Sequence, residues 1–269
     1  MYAVSLNRNG LGIVLGVAIA YFLFAAAAIA FTRLSANVAL LWIANAPLLA
    51  ALLSRPAAER PWHVIACFGA SIAATLSISP YGVLSPLFAF ANAGEALIAF
   101  LLLRRFGGRE KPFESLRALA IFSGVAGFAA PFVTGALPAI ALWAFQDTPP
   151  LIIWSNWIVG HGLGALIGTP VALLAIGGAA YRERFARPRE ALRILWVGTL
   201  LLGVTAMCFV QHGLPLLFLP ILPLIVATMI FRLAGAALGV FAIAMIGVGF
   251  TVNGHGPIQL IAASEAFHL

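Results

Sequence analysis

Charge is scarce in this sequence: only 9% of its 269 residues are Asp, Glu, Lys or Arg and 63% are hydrophobic, whereas a soluble domain carries roughly 25% charged residues. A water-soluble fold cannot hide that much apolar surface. Acidic residues number eight, and only Glu95 falls deep inside an apolar run. Cys67 and Cys208 lie in separate apolar runs, where free cysteine behaves as a small hydrophobe, so neither a disulfide framework nor a metal-binding spacing is present. The phosphate-binding glycine loop, the H-E-x-x-H pair and the nucleophile elbow are absent too. Catalysis, a cofactor and a metal centre are therefore not expected; His63, His212, His255 and His268 are scattered near the ends of runs. There is no internal repeat and no Pro/Gly/Ser-rich linker. The longest polar stretches, Arg104–Arg117 and Tyr181–Arg193, are too short for a soluble output domain, so residues 1–269 read as one integral membrane domain.

What the chain does have is long apolar runs. A bilayer core of about 30 Å takes roughly 20 helical residues at about 1.5 Å each. Runs of that kind occur at about 11–31, 36–54, 62–79, 84–103, 118–144, 151–176, 191–210, 214–231 and 234–252. They are continuously apolar and do not alternate, which favours helices over a barrel and predicts an all-α, polytopic transmembrane helix bundle of about nine spans. Pro131, Pro138 and Pro170 are places where the long fifth and sixth spans can bend. The formal charge of +7 is not a nucleic-acid footprint, because Arg and Lys sit in short loops beside anionic lipid headgroups. With the N-terminus inside the bacterial inner membrane, fourteen of the fifteen basic residues fall inside and only Arg33 outside. Nine spans then leave the C-terminus outside. Ile258–Leu269 is too short to recross, and reads as the start of a tenth helix or as an interfacial one. Trp62, Trp143 and Trp196 near span ends read as interfacial anchors.

A membrane helix keeps a polar side chain only for a reason, since burying one unpaired in hydrocarbon is costly. The informative residues are Trp42 and Asn45, with Pro47, in the second span, Asn92 and Glu95 in the fourth, and Trp154, Asn156, Trp157 and His161 in the sixth. Counted from the outer ends of their spans at about 1.5 Å per residue, Asn45, Glu95 and His161 lie roughly 14, 17 and 15 Å deep. One polar layer near the midplane is expected, with Asn92 and Glu95 on one helical face and Trp157 and His161 on another. It is either a ligand, proton or ion site or a set of interhelical bonds that holds the bundle together. Gly160, Gly164 and Gly168 recur every four residues and predict close helix packing beside His161, and Gly235 and Gly239 repeat the pattern once.

Several of these motifs, in this order, resemble the first type of bacterial membrane-associated sensor domain (MASE), over most of the chain. They are Leu41-Trp42-Ile43-Ala44-Asn45-Ala46-Pro47, Ala91-Asn92-Ala93-Gly94-Glu95-Ala96-Leu97 ending at Arg104-Arg105, and Trp154 and Trp157 followed by Gly160-His161-Gly162-Leu163-Gly164 and Thr169-Pro170. Phe231-Arg232 with Gly235-Ala236-Ala237, and Gly254-His255-Gly256-Pro257, belong to the same resemblance. Two positions depart from the family: Ile43 stands where a proline is frequent, and His161 where an aspartate is. The resemblance implies an input module of histidine kinases and diguanylate cyclases. Its partners would be the lipid bilayer, a cytoplasmic output domain or partner protein, and, as an option, a second copy of the chain as a homodimer; no nucleic acid is expected. The alternatives from the residues themselves are a small-molecule transporter using the same polar layer and a scaffold that recruits a partner.

Overall fold

The computed structural model describes residues 8–31, 41–79, 82–107, 112–145, 148–177, 188–211, 214 and 216–257. Among these there is no strand, and the chain is an all-α helix bundle. It divides into two compact units, Met1–Ile176 and Gly177–Leu269. Several expectations fall on residues outside the described ones: Arg33, residues 36–40 of the second span, His212, His268, the tenth-helix start at Ile258–Leu269, and parts of the loops Arg104–Arg117 and Tyr181–Arg193.

The first unit contains α1 (Arg8–Phe31), α2 (Asn45–Ser54), α3 (Arg60–Ile78), α4 (Ser85–Gly107), α5 (Leu116–Gly124), α6 (Ala130–Trp143) and α7 (Pro150–Ile176). A π-helical turn, Val125–Ala129, joins α5 to α6, so Leu116–Trp143 runs as one long helix. Pro131 follows that turn. Its ring would clash with the carbonyl one α-turn back, that of Gly127, and the wider turn relieves the clash. The second unit contains α8 (Pro188–Val210), α9 (Ile221–Phe231) and α10 (Leu233–Val252), and packs all three together around Val197, Ala227 and Phe231. Helices α9 and α10 are joined through Arg232 alone, at φ 56°. A Cβ on Gly235 would strike the Ala227 carbonyl, which is why the hairpin closes only on glycine there.

The expectation of about nine spans is loose in detail. Among the described residues seven helices are long and apolar enough to cross a membrane, whereas α2 and α9 have only ten and eleven residues. At about 1.5 Å per residue each covers about half of a bilayer core. The reason is proline. Pro47 sits in the first turn of α2, and Pro220 and Pro223 sit at the cap and first turn of α9, positions where the missing N–H costs nothing because no helical partner would exist. Hydropathy counts Leu41–Ala44 and Leu216–Leu219 as span, whereas these described residues are not α-helical and the helices begin at Asn45 and Ile221. Leu41–Ala44, ahead of α2, is non-helical and fully buried. Non-helical backbone at membrane depth is tolerated only when buried in protein, and this segment is.

Candidate functional site

The Leu41–Ala44 segment lies along α7. The Trp42 N–H donates to the Gly160 carbonyl at 2.9 Å. One turn on, a Cβ at Gly164 would collide with the Trp42 carbonyl, and at Gly168 it would press on Ala46 and Ile43. Gly164 and Gly168 therefore pack closely on the non-helical Leu41–Ala44 segment and the first turn of α2, not on a second regular helix. On another face of α7, a Cβ at Gly162 would strike the Gly127 carbonyl of the π-turn.

These close approaches bring side chains of α2, α6 and α7 to one carboxylate on α4. Glu95, on α4, is 3% exposed. Its Oε1 accepts from Asn45 Nδ2 at 2.6 Å. Its Oε2 lies 2.8 Å from His161 Nδ1 and 3.3 Å from both Trp157 Nε1 and Thr134 Oγ1. With its proton on Nδ1 the imidazole donates to the carboxylate, as a hydrogen bond when neutral and as an ion pair when protonated. The single Thr134 hydroxyl proton goes either to Glu95 or to the Ala130 carbonyl at 3.0 Å. Asn45, the first residue of α2, extends the network to α1: its Oδ1 accepts from Tyr21 Oη at 3.0 Å and from Trp42 Nε1 at 3.3 Å.

His161 is held between two indoles. The Trp157 ring stacks on it at 3.8 Å and 19°, and the Trp42 ring at 5.3 Å and 10°. An imidazolium there would gain from both faces, since aromatic faces attract cations. The site thus combines one acid, one imidazole, two indole faces and converging donors, all in the interior of the first unit. Proton exchange between Glu95 and His161, or breakage of their contact, is the chemistry such a set can perform.

Not every residue expected in the layer belongs to it. Asn92 is buried one turn from Glu95 but bonds Ser71 Oγ of α3 at 3.3 Å, and its Oδ1 has no partner. Trp154 turns away, donating from Nε1 to the Phe132 carbonyl at 2.8 Å and packing at a tilt against the Phe132 ring. Asn156 is half-buried and has no hydrogen-bond partner among the described residues. Conversely, Tyr21 and Thr134 were not anticipated. Tyr21 is 1% exposed near the middle of α1, and a hydroxyl at that depth is the signal that marks it. Cys67 and Cys208 are buried and free, and no three His, Cys, Asp or Glu side chains gather as metal ligands among the described residues.

Comparison with curated proteins and with solved structures returns no match. One family model, MASE1, matches residues 13–267, nearly the whole chain and every element around Glu95. With its buried polar centre set in an apolar bundle, the chain belongs to the MASE1 family of membrane-associated sensor domains.

Proposed function

We propose that this sensory domain passes its cue to a cytoplasmic histidine kinase or diguanylate cyclase, in the same polypeptide or in a partner, and that Glu95 is where the bundle is switched. The observation that carries this is the carboxylate shared by Asn45, Thr134, Trp157 and His161. Through those side chains and Tyr21, one ionisable group ties together α1, α2, α4, α6 and α7. A cue shifts a bundle only as far as it favours one arrangement over the other. Stranding buried polar partners costs about 1–3 kcal/mol for each bond lost, while moving an equilibrium from 1:99 to 99:1 takes about 5.5 kcal/mol. Loss of the Glu95 contacts is thus large enough to turn a minor arrangement into the majority.

The test compares Glu95→Gln with Glu95→Asp in the intact signalling system, reading phosphotransfer or cyclic di-GMP. Gln keeps the shape and loses the charge, so it is expected to hold output at one extreme; Asp keeps the charge and is expected to retain a response. Equal, wild-type output from both variants would reduce the site to a structural bond. The other reading, a small-molecule transporter, draws on one observation: each unit holds one short apolar helix, α2 and α9, and interrupted helices in both halves are a transporter feature. The sensor reading takes precedence because of the family match over residues 13–267.

A further inference from the structure

A second cluster lies at one end of the first unit, away from Glu95. The Phe100 ring, 7% exposed on α4, carries two guanidinium groups: the Cζ of Arg60 is 4.8 Å from its centre and that of Arg104 is 5.6 Å. Cation–π contact explains why each rests there, but it does not neutralise either. The nearby carboxylate, Glu59, is already taken by Arg55, with Nε to Oε2 at 3.0 Å and a second bond from Nη2. Among the described residues neither Arg60 nor Arg104 has an acidic partner. The Arg60 Nε is also buried without any hydrogen-bond acceptor. A buried guanidinium N–H is expensive to leave unpaired, and two like charges held on one ring add to the demand for an anion.

We propose that Arg60 and Arg104, on the Phe100 platform, bind the phosphate of an anionic phospholipid headgroup. Arginine suits a phosphate because its planar fork donates two parallel N–H groups. A lipid is favoured over a soluble oxyanion by what lies deeper on the same helices. Ile65 of α3 and Leu101 of α4 are 62% and 60% exposed, and within about two turns of the arginines they offer apolar surface to acyl chains. Because α3 and α4 also carry Ser71, Asn92 and Glu95, a bound headgroup would brace the two helices that flank the polar centre.

The test uses the full chain in detergent, titrated with phosphatidylglycerol or phosphatidylcholine and read by native mass spectrometry of retained lipid. Each basic residue near an anionic surface contributes about fivefold in affinity. The double variant Arg60→Gln, Arg104→Gln is therefore expected to bind phosphatidylglycerol about thirtyfold more weakly. Arg193→Gln, which removes an exposed arginine of the second unit paired with Glu190, is expected to stay within about twofold of wild type. The milder Arg60→Lys, Arg104→Lys variant keeps charge and fold but loses the planar fork, and is expected to bind several times more weakly than wild type. Undiminished phosphatidylglycerol binding by the lysine variant would overturn the site. So would equal retention of phosphatidylcholine, or complete displacement of the lipid by millimolar inorganic phosphate, which would assign the arginines to a soluble anion.

Discussion

Gly164→Ala is the smallest change that tests how the polar centre is assembled. The added methyl meets the Trp42 carbonyl and its carbon, which are backbone atoms and not the flexible end of a side chain. Either α7 moves away or the Leu41–Ala44 segment does. Overpacking of this kind costs about 1–3 kcal/mol. Moving the segment also breaks the 2.9 Å bond from the Trp42 N–H to the Gly160 carbonyl, and a donor stranded in the interior costs about 1–3 kcal/mol more. Alanine returns about 1 kcal/mol through its helix propensity, leaving a net loss of about 3 kcal/mol. The control is Gly69→Ala, where a Cβ would meet nothing within 4 Å and the same propensity gain acts alone. The two variants should therefore differ by about 4 kcal/mol, roughly a thousandfold in the unfolding constant. Reversible unfolding in mixed micelles, followed by far-ultraviolet circular dichroism, measures this. Tryptophan emission of folded Gly164→Ala should also shift as Trp42 leaves the His161 ring. Stabilities of the two variants within about 0.5 kcal/mol would refute the close approach.

Two other outcomes follow from the same geometry. Asn45→Leu strands Glu95 Oε1 and Trp42 Nε1 and leaves the Tyr21 hydroxyl with Ser71 alone, and at about 1 kcal/mol or more for each stranded group it should cost about 2 kcal/mol or more in micelle unfolding. Asn92→Leu removes one 3.3 Å bond and an oxygen that had no partner, so it should be neutral or stabilising; a reversed order would contradict the assigned network. For orientation, single cysteines at Glu114 and Thr148 in a chain carrying Cys67→Ala and Cys208→Ala distinguish the two sides. An impermeant thiol reagent added to intact cells should label Thr148→Cys and spare Glu114→Cys, and the opposite pattern would invert the topology.

The helices are legible because apolar length alone dictates a membrane helix, and a depth count along the spans puts Asn45, Glu95 and His161 at one level. The glycine stripe was legible as a place of close approach, since only missing side chains let backbones meet. Its true partner was not, because hydropathy records what residues prefer and not the path of the backbone. Leu41–Ala44 is as apolar as a helix, and only Pro47 hints that the helix starts late. The same blindness hid the short α9 behind Pro220 and Pro223, and the π-turn ahead of Pro131. Tyr21 and Thr134 escaped because hydroxyls are common in membrane helices and usually bond their own backbone, as Thr205 does to the Leu201 carbonyl. Trp154 and Asn156 were over-read for a related reason: their spacing puts them in the right span, but the turn of α7 points them elsewhere.

The most direct test of the account is a double-mutant cycle on signalling output, using Glu95→Gln, His161→Gln and the two combined. If both residues act through their one 2.8 Å contact, each single variant shifts the output and the double variant matches a single variant, because the contact can be lost only once. Additive effects, or wild-type output from either single variant, would show that the Glu95–His161 contact is not the switch.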